Sequence, residues 1–213
     1  MNVTIIGTGN MARGVGSRVL AGGNHLTVLG KSQEDADAVA SDLQAEANGD
    51  EIRTGVSSDE KMMDDVVVLA VYYPDARAYV KEHGDALAGK TVVETTNPVN
   101  ETYDSLVTPP DSSATKELSK LAPDAHFVKA FNTTFANTLR EGAVEGRPLD
   151  VLIAGDDEGA KGEVVELAQA AGLRPIDAGP VARARELEAA GLLHITLQNT
   201  LGTGFGSALK VLP

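Results

Sequence analysis

The residues best suited to chemistry are six near the N-terminus, Gly7-Thr8-Gly9-Asn10-Met11-Ala12, which directly follow an apolar, β-branched run. In a strand, turn and helix start, Gly7 suits a turn too sharp for a side chain, and Gly9 lets the backbone approach a pyrophosphate. Ala12 allows the helix to pack against the strand. Unbonded N–H groups at the helix start favour negative charge. This context predicts a dinucleotide site rather than a purely structural glycine turn.

The tip of the predicted second strand indicates which dinucleotide binds. Sites selective for NAD place an acidic residue about 20 residues after the glycines, where it holds the ribose 2′-hydroxyl. This chain has Gly30-Lys31-Ser32 there, and a cation beside a hydroxyl suits a 2′-phosphate. We therefore predict NADP as the cofactor, although Lys31 also fits a solvated surface lysine. Arg13 fits equally a second phosphate contact or a surface position.

Two later predicted strands end in residues that could line the nicotinamide half of the site. The apolar run Val66–Val71 leads into Tyr72-Tyr73-Pro74, and Thr91–Glu94 leads into Thr95-Thr96-Asn97-Pro98. Ligands of parallel sheets bind at the carboxyl ends of the strands. Ordinary turn chemistry explains these residues equally well. The predicted cofactor-binding set is Gly7, Thr8, Gly9, Asn10, Met11, Ala12, Gly30, Lys31, Ser32, Val71, Tyr72, Tyr73, Asn97 and Pro98.

The sequence offers a nucleotide site but no catalytic acid, base or nucleophile. Its four histidines have no metal-ligand spacing, and no metalloprotease, serine-hydrolase or P-loop motif occurs. The carboxylate pairs Asp64-Asp65 and Asp156-Asp157 fit helix caps. We therefore predict no metal and no catalytic side chain. Such a chain suits an oxidoreductase in which hydride passes from nicotinamide to a second ring stacked against it.

Composition limits the possible partners and compartment. The 213 residues carry a net charge of −13, which argues against nucleic acid or an anionic membrane as a partner. Cysteine is absent, so disulfides and thiolate chemistry are excluded. No signal-like or transmembrane segment is apparent, and we expect a cytoplasmic protein.

Strands and helices alternate along the whole chain, which predicts a Rossmann-type α/β fold with a doubly wound, mostly parallel sheet. After the first strand, further strands are predicted at His25–Leu29, Arg53–Val56, Val66–Val71, Thr91–Glu94, His126–Ala130, Asp150–Ala154 and Arg174–Asp177. We expect residues 1–140 to form the NADP domain and residues 141–213 a small C-terminal α/β lobe that closes the substrate site.

Several segments together resemble the NADP-dependent oxidoreductases of coenzyme F420. They are Ile6-Gly7-Thr8-Gly9-Asn10, Gly30-Lys31-Ser32, Thr96-Asn97-Pro98, Lys129-Ala130-Phe131-Asn132-Thr133, Gly155-Asp156-Asp157, Leu173–Pro180 and the glycine-rich tail. The resemblance implies hydride transfer between NADPH and a deazaflavin such as F420. It also implies a homodimer and a second substrate facing Asn132, Thr133, Gly204 and Phe205.

Departures from that family's pattern leave alternatives open. Those reductases carry Ser-Arg where this chain has Lys31-Ser32, and His where it has Asn132. The run Lys129–Thr133 is also similar to a broad bacterial and archaeal branch and to the cytosolic domain of six-transmembrane metalloreductases. The alternatives are a reductase of flavin or another small acceptor, and a non-catalytic NADP sensor. Gly9-Asn10-Met11-Ala12 also resembles pyrroline-5-carboxylate reductase, whose all-helical C-terminal region the predicted late strands contradict.

Overall fold

The computed structural model describes residues 1–47 and 51–212. The strands are β1 (Asn2–Ile6), β2 (His25–Gly30), β3 (Arg53–Val56), β4 (Val66–Leu69), β5 (Thr91–Glu94), β6 (His126–Lys129), β7 (Ala143–Val144), β8 (Arg147–Pro148), β9 (Asp150–Gly155) and β10 (Arg174–Gly179). The helices are α1 (Asn10–Ala21), α2 (Gln33–Leu43), α3 (Tyr73–His83), α4 (Ala114–Ser119), α5 (Ala136–Glu141), α6 (Glu158–Ala170) and α7 (Ala184–Leu201).

Eight of the described strands form one sheet in the order β10-β9-β6-β5-β4-β1-β2-β3. All neighbours are parallel except β6 and β9, which pair antiparallel through Val128 with Gly155 and Lys129 with Ala154. β1 lies between β2 and β4, with Ile6 paired to both Leu29 and Leu69. The predicted Rossmann-type, mostly parallel sheet is confirmed. The carboxyl ends of β1, β2, β4, β5 and β6 therefore share one edge.

Alternate residues of the central strands pack against opposite layers of helices. In β4, Val66 and Val68 belong to the apolar cluster that includes α1, α2 and α6, while Val67 and Leu69 belong to the cluster around α3 and α4. Residues of β4 and β5 are buried throughout. Continuous apolar runs such as Val66–Leu69 are typical of strands covered on both faces. Burial of each such side chain contributes about 1.5–3 kcal/mol, and together they hold the strand ends in register.

The C-terminal elements extend the same sheet. β9 joins it beside β6, β10 follows β9 in parallel, and α7 lies against β9 and α4. A short 3-10 turn, Val181–Arg183, directly precedes α7. The last residues then run without regular structure to Leu212. The division at residue 140 stays a prediction.

Candidate functional site

The two glycines of the N-terminal loop occupy opposite environments. Gly7 has a φ of +126°, and a Cβ added there would lie 2.4 Å from the carbonyl oxygen of Ala70. Gly9 has a φ of −81°, and a Cβ there would meet nothing within 4 Å. Gly7 is therefore required by the turn itself. The space above Gly9 is a cradle that a side chain would fill, and it fits the pyrophosphate of a dinucleotide.

Among the described helices of more than ten residues, α1 is the one whose start has neither a side-chain cap nor an acidic residue in its first turn. Ser32 caps α2 by accepting from the Asp35 N–H, and Asp157 caps α6 by accepting from the Ala160 N–H at 2.8 Å. Gly9 gives α1 no side-chain cap, and its first turn holds no acidic residue. The helix N-terminus therefore keeps its partial positive charge for an external anion. Asn10 is exposed beside it, Met11 is half-buried and Ala12 is packed in the core.

The tip of β2 lies against this loop. A Cβ on Gly30 would be 3.0 Å from the Thr8 Cγ2 atom, so the two predicted segments are in contact. Lys31 is highly exposed, and its Nζ lies 2.9 Å from Asp75 Oδ1. Ser32 caps α2 and also donates to Asp35. The predicted phosphate-binding residues are thus brought together. Lys31 also forms an ion pair with Asp75, which was not predicted from the sequence.

Arg13 does not extend away from the loop. Its guanidinium donates to the carbonyl oxygen of Thr8, and its Nε lies 3.2 Å from Asp42 on α2. These contacts tie the loop to α1 and α2. The structure therefore favours a supporting role for Arg13 within the protein over direct phosphate binding.

The carboxyl end of β4 presents aromatic side chains to the same edge. Tyr72 is 78% exposed immediately before α3, whereas Val71 and Tyr73 are half-buried. Burial raises the pKa of the Tyr73 hydroxyl, and nearby Glu117, Glu188 and Glu94 add to this effect against Arg77. Tyr72 is free to cover a ligand, and Tyr73 stays neutral.

The ends of β5 and β6 are locked to α7 through two asparagines. Asn97 Nδ2 donates to the Asn132 carbonyl at 2.8 Å, and Asn132 Nδ2 donates to Asn97 Oδ1 and the Leu187 carbonyl, both at 2.9 Å. A Cβ on Gly191 would lie 2.4 Å from Asn97 Oδ1, so α7 can only approach this closely with glycine there. Pro98 and Thr133 are buried next to Asn97 and Asn132 in the chain. Asn132, predicted to face the second substrate, is only 4% exposed.

A buried ion cluster under this edge was not predicted. Lys129 Nζ lies 2.6 Å from Glu94 Oε2 and 3.0 Å from Glu188 Oε1, and also donates to the Thr96 carbonyl. All three charged side chains are fully buried. Glu94 also accepts from Thr115 at 2.8 Å. The sequence signal was two charged residues, Glu94 and Lys129, inside otherwise apolar strands. Glu188 lies among other charged residues of α7 and gave no such signal.

Glu188 is the under-satisfied member of the cluster. Its Oε1 accepts from the Ala114 N–H at 2.8 Å, but its Oε2 is buried without a hydrogen-bond partner in the described part of the chain. Burial raises the pKa of Glu188, as does neighbouring Glu94, against the opposite effects of Lys129 and the Ala114 N–H. Two carboxylates share one ammonium, so protonation of Glu188 would balance the buried charge.

The C-terminal tail folds back toward the end of β6. The Phe205 ring packs edge-on against Phe135 at 5.1 Å, and Phe135 stacks on His194 at 4.2 Å. His194 Nδ1 lies 3.2 Å from the Thr133 carbonyl, and burial lowers the pKa of this imidazole. The tail residues Gly204 and Phe205, predicted to face the substrate, are exposed here.

The remaining polar groups named above have structural contacts. Asp157 caps α6 as predicted, but Asp64 is not a cap and instead accepts from Thr4, Thr27 and Arg53. It joins three strands at the edge opposite the glycine loop. Across the described residues, no group of three or more His, Asp or Glu side chains could hold a metal ion. Within the same residues, no helix combines the length and apolar character needed to cross a membrane.

Residues 2–98 match the family described as "NADP oxidoreductase coenzyme F420-dependent". Over 187 residues the chain is 32% identical to the metalloreductase STEAP3 of Rattus norvegicus, spanning 88% of this chain but 36% of that protein. It is 28% identical to the F420-dependent NADP reductase of Methanocaldococcus jannaschii, with 96% of each chain covered.

Solved structures show the same fold. A crystal structure of a candidate F420-dependent NADP reductase from Arthrobacter sp. FB24 superposes with a TM-score of 0.85 at 23% identity, covering 99% of both chains. A hypothetical protein from Sinorhizobium meliloti superposes with a TM-score of 0.75 at 25% identity, covering 85% of this chain and 86% of that chain. The whole chain, including the C-terminal elements, is therefore accommodated by one known architecture.

Proposed function

We propose that this chain, whose residues 2–98 match the family of coenzyme F420-dependent NADP oxidoreductases, belongs to that family and transfers hydride between NADPH and a deazaflavin such as coenzyme F420. The observation that carries the proposal is the open cradle over Gly9, at an uncapped helix start and inside the matched residues 2–98. We further propose a homodimer, as the resemblance implies, and a cytoplasmic location, as expected from the sequence.

In this proposal each segment of the strand-end edge has a separate role. The cofactor-binding set is the one predicted from the sequence. The α1 N–H groups over Gly9 receive the pyrophosphate, and Lys31 with Ser32 receives the 2′-phosphate. When bound, NADPH supplies a hydride, and the acceptor also takes up one proton from solvent. Tyr72 and Phe205 cover the reacting rings and exclude water, while Asn97 and Asn132 hold α7 against the strand ends.

Anaerobic mixing of the purified protein with NADPH and oxidised F420 tests the proposal. Loss of the deazaflavin's visible absorption is the expected result, faster with NADPH than with NADH. Bound NADPH without bleaching would contradict deazaflavin reduction. Bound NADPH with no turnover of any acceptor would instead indicate a sensor.

The match to the rat metalloreductase favours one second candidate function. That relative is as similar over this chain as the archaeal reductase is, and the chain spans only about a third of its length. The alternative is NADPH-dependent reduction of a flavin or another small acceptor. Oxidised FMN and FAD in the same anaerobic assay separate the two candidates.

A further inference from the structure

An ion pair joins the two segments that flank the glycine loop. In the sheet β1 lies between β2 and β4, so residues that follow β2 and β4 flank the loop that follows β1. Lys31 directly follows β2, and Asp75 lies in the first turn of α3, after β4. Their side chains meet at 2.9 Å between Nζ and Oδ1. The pair therefore spans the position where the proposed dinucleotide would lie.

This pair is held by charge and not by packing. The side chain of Lys31 is 81% exposed and that of Asp75 is 45% exposed. Asp75 sits at the start of α3, where the helix dipole favours a carboxylate. Among the described residues Asp75 Oδ1 is the hydrogen-bonding partner shown for Lys31 Nζ. Lys31 is thus mobile enough to change partner, whereas Asp75 is fixed to a helix start.

We propose that Asp75 is a specificity-determining residue that limits the preference for NADP over NAD by competing for Lys31. The inference rests on the proposed function. A 2′-phosphate must draw Lys31 away from Asp75 and then lies near a carboxylate of the same sign. A dinucleotide with a plain 2′-hydroxyl leaves the ion pair intact. Asp75 therefore weakens binding of the phosphorylated cofactor alone.

Equilibrium binding of NADPH and of NADH, without any acceptor, tests this role. Asp75→Asn keeps the shape of the side chain and removes its charge. We expect it to tighten NADPH binding by about three- to fivefold, as for the loss of an exposed ion pair, and to change NADH binding by less than about twofold. Lys31→Met should weaken NADPH binding, and Asp75→Asn should give a smaller gain in that background because no cation is left to compete for.

Glu82→Gln is the matched control, because it removes one negative charge from the far end of the same helix, where Glu82 is exposed. It should leave the ratio of the two dissociation constants unchanged. An unchanged ratio in Asp75→Asn, or weaker NADPH binding, would overturn the inference while Lys31→Met still reports on the 2′-phosphate site. If the unmodified protein binds neither dinucleotide, the proposed function itself fails.

Discussion

At the scale of single residues, the two loop glycines have separate roles that their common motif conceals. Gly7 takes a conformation that other residues rarely adopt, and its backbone is packed against Ala70. Gly9 has neither constraint, so nothing in the fold requires glycine there. A residue that the fold does not need, beside an uncapped helix start, is best explained by a ligand that needs the space.

Gly9→Val should abolish NADPH binding and leave the protein folded. The added side chain would enter the cradle, and its Cβ would meet no heavy atom within 4 Å apart from the chain neighbours, so the free energy of unfolding should fall by no more than about 1 kcal/mol, the cost of a poorer helix cap. Gly7→Val is the comparison, and it should prevent stable folding because its Cβ would overlap a backbone carbonyl. Calorimetric titration and urea denaturation measure both effects. NADPH binding by Gly9→Val at unmodified affinity would refute the site.

The sequence was informative at this scale wherever a residue's role follows from its neighbours in the chain. The glycine turn and the Asp157 cap could be predicted, because each depends on a few adjacent residues. The Lys31 partner could not, since Asp75 lies 44 residues away and only the sheet order brings it near. Asp64 was wrongly assigned as a cap for the same reason, because its partners lie on three strands.

At the scale of elements, the Glu94–Lys129–Glu188 cluster fastens α7 to the ends of β5 and β6. Strand positions were predicted closely because apolar β-branched runs such as Val66–Leu69 specify buried strands. The cluster was not predicted, because Glu94 and Glu188 lie 35 and 59 residues from Lys129 along the chain. A charged residue in an apolar strand has no visible partner until the strand order is known.

Glu188→Gln should stabilise the protein increasingly as the pH rises. The raised pKa of Glu188 means that the folded state keeps this proton to a higher pH than the unfolded state, which releases it above about pH 4.5. The folded state therefore loses stability relative to the unfolded state as the pH rises. Glutamine does not titrate, so it removes this loss, and its side-chain oxygen can still accept a hydrogen bond from the Ala114 N–H. Urea denaturation at several pH values between about 5 and 8 measures this trend.

Glu94→Gln provides the contrast, because both oxygens of Glu94 accept hydrogen bonds and one faces Lys129. Loss of that charge leaves a buried ammonium poorly balanced and should destabilise the protein by about 3 kcal/mol or more. A constant stability difference between Glu188→Gln and the unmodified protein across this pH range would show that Glu188 is ionised in the fold.

At the scale of the whole molecule, a second buried carboxylate opposes the effect of Glu188. Asp150 begins β9 and accepts from Arg174, Lys210 and the Val211 N–H, which fixes the C-terminal tail to the sheet. Burial alone would raise the pKa of Asp150, but these hydrogen bonds together lower it to about 2. The tail's return to the sheet could not be predicted, because its glycines favour no single path.

Stability should therefore be greatest in mildly acidic solution, at about pH 4.5–6. The lowered pKa of Asp150 gives a stabilisation of up to about 2 kcal/mol that is present above about pH 4 and is lost as the pH falls toward 2. Glu188 acts in the opposite direction as the pH rises, and the net charge of −13 adds self-repulsion at neutral pH. Asp150→Asn should lower the free energy of unfolding at pH 6 and lose about half of that deficit near pH 3, as measured by urea denaturation. An equal deficit at both pH values would mean that the Asp150 contacts stabilise the tail without depending on its charge.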